Sequence, residues 1–188
     1  MTHLIVPDIH HKIERADRVL AAEPEVGAVY FLGDYLDDFG DTPADAEQTA
    51  RWMRNQIEAG RHLLWGNHDL PYAFLPDRHR CPGYSPAKAA AVRRVLTPDH
   101  WRRLRLWHII PASPRPWVLS HAGLDREWFP QEVTDPVAYL HLLEHEVLDN
   151  LYKRGQSHPL LHFCSASRGG RDPFPGVLWM DWGDFRPV

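Results

Sequence analysis

An α/β fold in a single domain spanning residues 1–188 is what the sequence predicts, and three observations carry that reading. Short β-type runs alternate with amphipathic helical stretches through the first third of the chain. Each run is cut off by Gly or Pro and exits at once into side chains that can hold a cation. The length of 188 residues fits one domain and is enough to bury a core without disulfides or a structural metal.

The first strand is Leu4-Ile5-Val6, stopped by Pro7. Residues 13–22 read as a helix with Ile13, Ala16, Val19 and Leu20 on one face, closed by Pro24, which cannot continue it. A second strand is expected at 28–32. Strand, helix and strand within about thirty residues make a parallel unit, with both strand C-termini on the sheet edge where ligands collect. Thr42 caps the next helix and Pro43 opens it, and the helix continues through 44–58 until Gly60. A strand at 61–65 then gives a third parallel element.

From 70 to 85 the prolines at 71, 76 and 82 prevent a long helix, so a loop with short helical pieces is expected over the strand ends. Helices are expected at 86–95 and at 98–104, the second capped by Thr97. Residues 106–110 and 117–120 read as antiparallel strands that begin a second sheet. Asp135-Pro136 starts the longest helix, 137–153, whose Leu140, Leu143, Val147 and Leu151 form a core stripe ending at Gly155. The tail contains Ser167-Arg168-Gly169-Gly170-Arg171 and a strand-like stretch at 176–181.

The strand exits carry the chemistry. Leu4-Ile5-Val6-Pro7 runs into Asp8-Ile9-His10, and Val29-Tyr30-Phe31-Leu32 runs into Gly33-Asp34-Tyr35-Leu36-Asp37. Leu63-Leu64-Trp65 runs into Gly66-Asn67-His68-Asp69, and Trp117-Val118-Leu119-Ser120 into His121-Ala122-Gly123. The ordered set is specific, with 26, 33 and 54 residues separating Asp8, Asp34, Asn67 and His121.

In this set the sequence resembles the calcineurin-like metallophosphoesterases, whose pattern is Asp-x-His, Gly-Asp-x-x-Asp, Gly-Asn-His-Glu/Asp, His-x-Gly and a last Gly-His. The resemblance implies a fold of two β-sheets flanked by helices, shortened here at its C-terminal end because no Gly-His follows His121. It implies two divalent metal ions held by Asp8, His10, Asp34, Asn67 and His121, with Asp34 shared between them. Side chains two apart at a strand end point the same way, which suits Asp8 and His10 to one cation. Nitrogen and oxygen ligands without thiolate favour Mn²⁺, with Fe or Zn²⁺ as alternatives.

The activity implied is hydrolysis of small phosphate monoesters or nucleotides by in-line attack of a metal-bridging hydroxide, with His68 as general acid and Asp37 holding its far nitrogen. Asp37 also reads as a loop cap, and His121 as a core histidine. Arg168 reads equally as a phosphate clamp or as a solvated side chain, with Arg171, Arg78 and Arg80 as further candidates. Where the protein Ser/Thr phosphatase branch carries a phosphate-gripping arginine this chain has Asp38, which argues against that branch. The missing Gly-His motivates a second reading, a metal-binding or interaction module with little turnover.

Composition excludes some partners. Lys+Arg 21 against Asp+Glu 25 gives a net charge of -4, with no broad basic surface for a nucleic acid backbone. Lysine occurs only at 12, 88 and 153, so phosphate contacts are expected from arginine forks rather than from ammonium groups. Cys81 and Cys164 are isolated and match no zinc or redox spacing, which points to a reducing cytoplasm. The N-terminus lacks a basic segment followed by an apolar one, and no run is long enough to span a membrane, so a soluble cytoplasmic chain is expected. Of thirteen histidines, His62, His79, His100, His108, His141 and His145 lie in polar or amphipathic settings and read as solvated.

Overall fold

The computed structural model describes residues 2–74 and 81–185. The chain divides into two compact units, Met1–Arg105 and Leu106–Val188.

In the first unit β1 (His3–Val6), β2 (Ala28–Phe31) and β3 (His62–Leu63) form a parallel sheet in that order. Ile5 lies opposite Tyr30, and Phe31 opposite Leu63. The crossovers are α1 (Ile13–Ala22) and α2 (Pro43–Glu58), so all three strands end at the same edge. β3 is shorter than expected because its extension changes partner: the Leu64 N–H still reaches the Phe31 carbonyl at 2.9 Å, but the Trp65 N–H goes to the Arg105 carbonyl at 2.9 Å.

A reciprocal cap starts α2, the Asp45 N–H donating to Thr42 Oγ1 at 3.3 Å and the Thr42 N–H to the Asp45 carboxylate at 2.8 Å. Its inner face buries Ala46, Thr49, Ala50, Met53 and Ile57. The expected apolar face of α1 is only partly covered: Ala16 is buried while Val19 is exposed. A polar tie, Trp52 Nε1 to Asp17 Oδ1 at 2.8 Å, anchors that helix to α2 instead.

The proline-rich stretch forms α3 (Leu70–Ala73), while Arg78, His79 and Arg80 lie outside the described residues. Ser85 caps α4 (Pro86–Arg93) by accepting the Lys88 N–H at 3.2 Å. α5 (Pro98–Trp101) stops three residues short of the expected end, because the chain must turn there to bring Arg105 beside Leu64. Trp101 stacks on Trp65 with centroids 5.2 Å apart, closing a core that includes Phe31, Leu36 and Leu64. Two histidines expected in solvent are otherwise engaged: His62 stacks on Tyr30 at 4.7 Å, and His100 Nδ1 accepts the Thr97 N–H at 3.0 Å.

In the second unit β4 (Trp107–Ile110) and β5 (Trp117–Ser120) pair antiparallel, Trp107 opposite Ser120 and Ile110 opposite Trp117. β4 begins a residue late because the Leu106 N–H is given to buried Glu144 Oε1 at 2.8 Å. Glu144 lies on α6 (Pro136–Arg154), which Asp135 Oδ1 caps at Val137 and Ala138 and left-handed Gly155 ends. Its stripe of Leu140, Leu143, Val147 and Leu151 is buried. After α7 (Pro159–His162), the strand-like stretch at 176–181 is a turn rather than a strand. The Gly176 and Val177 N–H groups go to the Phe163 and Leu160 carbonyls, each at 2.9 Å, and Val177 and Leu178 are fully buried. Burial alone satisfies that apolar run. Among the described residues no helix is long and apolar enough to cross a membrane.

Candidate metal centre

Three loops leave the parallel sheet at one edge, and their backbones are joined before any ligand is considered. The Ile9 and His10 N–H groups both donate to the Asp34 carbonyl, at 3.0 and 2.8 Å, tying the first loop to the second. Asp69 ties the second to the third: its buried carboxylate accepts from the N–H groups of Asp34 at 2.9 Å, Tyr35 at 3.0 Å and Gly66 at 3.0 Å. Burial and the Asp34 charge push the Asp69 carboxyl up, and these donors pull against them.

The loops meet at glycine. A Cβ on Gly33, whose φ is +105°, would lie 2.6 Å from Gly66 N, and one on Gly66 would collide with the Asp34 backbone. His10, Asp34 and Asp37 have φ of 42°, 51° and 66°, conformations that cost of order 1–3 kcal/mol each and persist only where surrounding bonds over-determine them.

Asp8, His10 and Asp34 each offer a ligand atom, and these atoms lie within 4.8 Å of one another. The His10 ring is oriented from behind, its Nδ1 donating to the Asp37 carbonyl at 2.7 Å and lying 3.2 Å from that of Leu36. That fixes the tautomer and turns Nε2 toward Asp34 Oδ2, 3.7 Å away. Two carboxylates and an imidazole Nε2 with its other nitrogen already committed fit a divalent transition ion.

Asn67 is buried, and Cys81 grips it twice: the thiol donates to the Asn67 carbonyl at 3.0 Å, while Asn67 Nδ2 donates to the sulfur at 3.4 Å. Burial pushes the Cys81 thiol up to about 12, so it serves as a neutral clamp.

The second loop also supplies Asp37, whose Oδ2 lies 3.1 Å from His68 Nδ1. The His68 and His10 rings meet edge to face with centroids 5.2 Å apart, and the His68 N–H donates to Asp34 Oδ1 at 2.9 Å. Burial works to lower the His68 pKa, but the Asp37 bond and the charges of Asp34, Asp37 and Asp8 raise it overall. Asp37 is buried too, which raises its carboxyl, yet hydrogen bonds from His68, Lys88 and Tyr72 hold it below the usual range. Asp38 pairs with Lys12 at 2.7 Å.

His121 and Arg168 belong to the second unit. His121 follows β5 and is partly buried, and the next residue donates its N–H to the Val177 carbonyl at 3.2 Å. Arg168 ends a short 3₁₀ turn, Ala166–Arg168, and its Nε lies 3.2 Å from Asp181 Oδ2. Sequence reasoning gave no role to Asp69, although it sits inside the third motif, nor to Cys81 or Lys88, whose partners are remote in sequence.

The profile of the calcineurin-like phosphoesterase family matches residues 1–182. Neither a search of curated proteins nor one of solved structures gave a match. With that profile covering nearly the whole sequence and the three loops holding their ligand-type side chains together, the chain belongs to the calcineurin-like phosphoesterase family.

Proposed function

We propose that this chain hydrolyses small phosphate monoesters or nucleotides in a metal-dependent reaction, with His68 as general acid and Asp37 as its orienting partner. One observation carries the reading: the His68–Asp37 pair stands beside the Asp8, His10 and Asp34 cluster, ring to ring at 5.2 Å. Divalent ions bound there, Mn²⁺ first and Fe or Zn²⁺ as alternatives, supply a coordinated water of lowered pKa and neutralise phosphate oxygens as charge builds. The resemblance implies two such ions.

The chain's own groups handle the proton. Asp37 is ionised near neutral pH and can only accept, so His68 Nδ1 is the donor in their bond. The proton delivered to the leaving oxygen therefore comes from Nε2 of a charged imidazole, a form favoured by the bond to Asp37.

The test is hydrolysis of a chromogenic phosphomonoester and a phosphodiester by the full chain, with Mn²⁺ supplied or chelated. Chelation is expected to abolish turnover, and His68→Ala to lower kcat by about 10²–10⁴ on esters with poor leaving groups and by less on the chromogenic ester, while KM changes little. Full metal-dependent activity in Asp34→Asn would sink the proposal. Metal analysis of the same preparation reads the number of ions per chain.

A further inference from the structure

A buried cation stands behind the His68–Asp37 pair. Lys88 has a side chain only 4% exposed, and its Nζ lies 2.7 Å from Asp37 Oδ1 and 2.8 and 2.7 Å from the two oxygens of Asp41. Asp41 in turn lies 2.8 Å from His11 Nε2. On the same Asp37 oxygen the Tyr72 hydroxyl donates a hydrogen bond. Oδ1 is thus filled by Lys88 and Tyr72, and Oδ2 faces His68.

The backbone delivers Lys88 to this position. Ser85 caps its helix, Pro86 fixes the first turn, and the preceding Gly83 packs so closely that an added Cβ would lie 2.9 Å from Asp37 Cβ. A buried ammonium is costly to desolvate, and apolar residues often replace a buried ion pair without loss of stability, so stability alone is weak grounds for it. Here the cation bridges two carboxylates that would otherwise repel, offsetting one of their two charges, and fixes the plane of the one that meets His68.

We propose that Lys88 is a positioning residue for phosphoester cleavage, locking Asp37 so that Asp37 orients the His68 imidazole toward the leaving oxygen. This rests on the reading of His68 as general acid. Proton delivery matters most when the leaving group is poor, so the signature of Lys88 is a dependence on leaving group rather than a uniform loss.

The experiment compares kcat and KM of the Mn²⁺-supplied full chain on p-nitrophenyl phosphate and on phenyl phosphate. Wild type, His68→Ala, Lys88→Met and the double variant of these two are measured together. Lys88→Met is expected to lose at least about ten-fold in kcat on the phenyl ester and several-fold less on the nitrophenyl ester, with KM nearly constant and no added loss on top of His68→Ala. Equal loss on both esters, no loss, or losses that multiply with His68→Ala would overturn it. If His68→Ala itself shows no leaving-group bias, the general-acid reading falls first; a biased His68→Ala beside an unbiased Lys88→Met rejects the Lys88 role alone. Should Lys88→Met fail to fold by circular dichroism, Lys88→Met with Asp41→Asn restores the charge balance and is expected to give the same profile. Failure of both to fold would leave Lys88 a purely structural residue and end the proposal.

Discussion

The carboxylate of Asp69 takes backbone N–H groups from both the Gly33 loop and the Gly66 loop. Replacing it by alanine strands several buried donors, each worth about 1–3 kcal/mol when unsatisfied. Asp69→Ala is therefore expected to destabilise the chain by about 3 kcal/mol or more and to weaken Mn²⁺ binding, read by urea unfolding and by calorimetry. Undiminished Mn²⁺ affinity would show that the loops keep their geometry without it. Asp37 gives a pH prediction with a definite sign. Its carboxyl, raised by burial but lowered further by His68, Lys88 and Tyr72, titrates below its unfolded value. Such a group stabilises the fold above the unfolded pKa of about 3.9, and that contribution disappears as pH falls through the folded value. The wild type is expected to lose more unfolding free energy than Asp37→Asn between pH about 5 and about 3, a difference that chemical denaturation at the two pH values measures.

Among the elements, caps decide more than propensity does. Thr42→Ala removes the hydroxyl that accepts at the start of α2 and is expected to cost about 1 kcal/mol, with little change in turnover, as thermal unfolding and a rate assay would read. The same cap made that helix legible in the sequence, and the spacing of Leu140, Leu143, Val147 and Leu151 did so for α6. The stretch at 176–181 was not legible, because an apolar run records burial and is silent on whether a ladder or a turn satisfies the backbone. The loop residues divide the same way. Asp8, His10, Asp34 and His68 announce themselves by following strands, whereas Lys88 meets partners 47 and 51 positions away and belongs to no local pattern. Scarcity of lysine draws attention to arginine as the phosphate-contacting residue and away from Lys88, although its ammonium group bonds Asp37 and Asp41.

Over the whole molecule the charge of -4 is small, but Asp8, Asp34, Asp37, Asp41 and Asp69 are gathered on neighbouring loops. Cation binding to the folded chain alone is therefore expected to stabilise it by about 2.7 kcal/mol at a hundredfold excess over Kd. Differential scanning calorimetry with Mn²⁺ and with chelator would show this as a shift of several degrees in Tm, and an unchanged Tm would count against a site formed by folding. The distribution of the three lysine side chains has a practical corollary. Lys12 and Lys153 are 54% and 70% exposed at their side chains, while Lys88 is sealed between two carboxylates. Amine-directed dyes, tethers or acetylating reagents thus have two lysine side chains to reach, and a labelled or immobilised chain keeps the third unmodified where the proposed chemistry needs it.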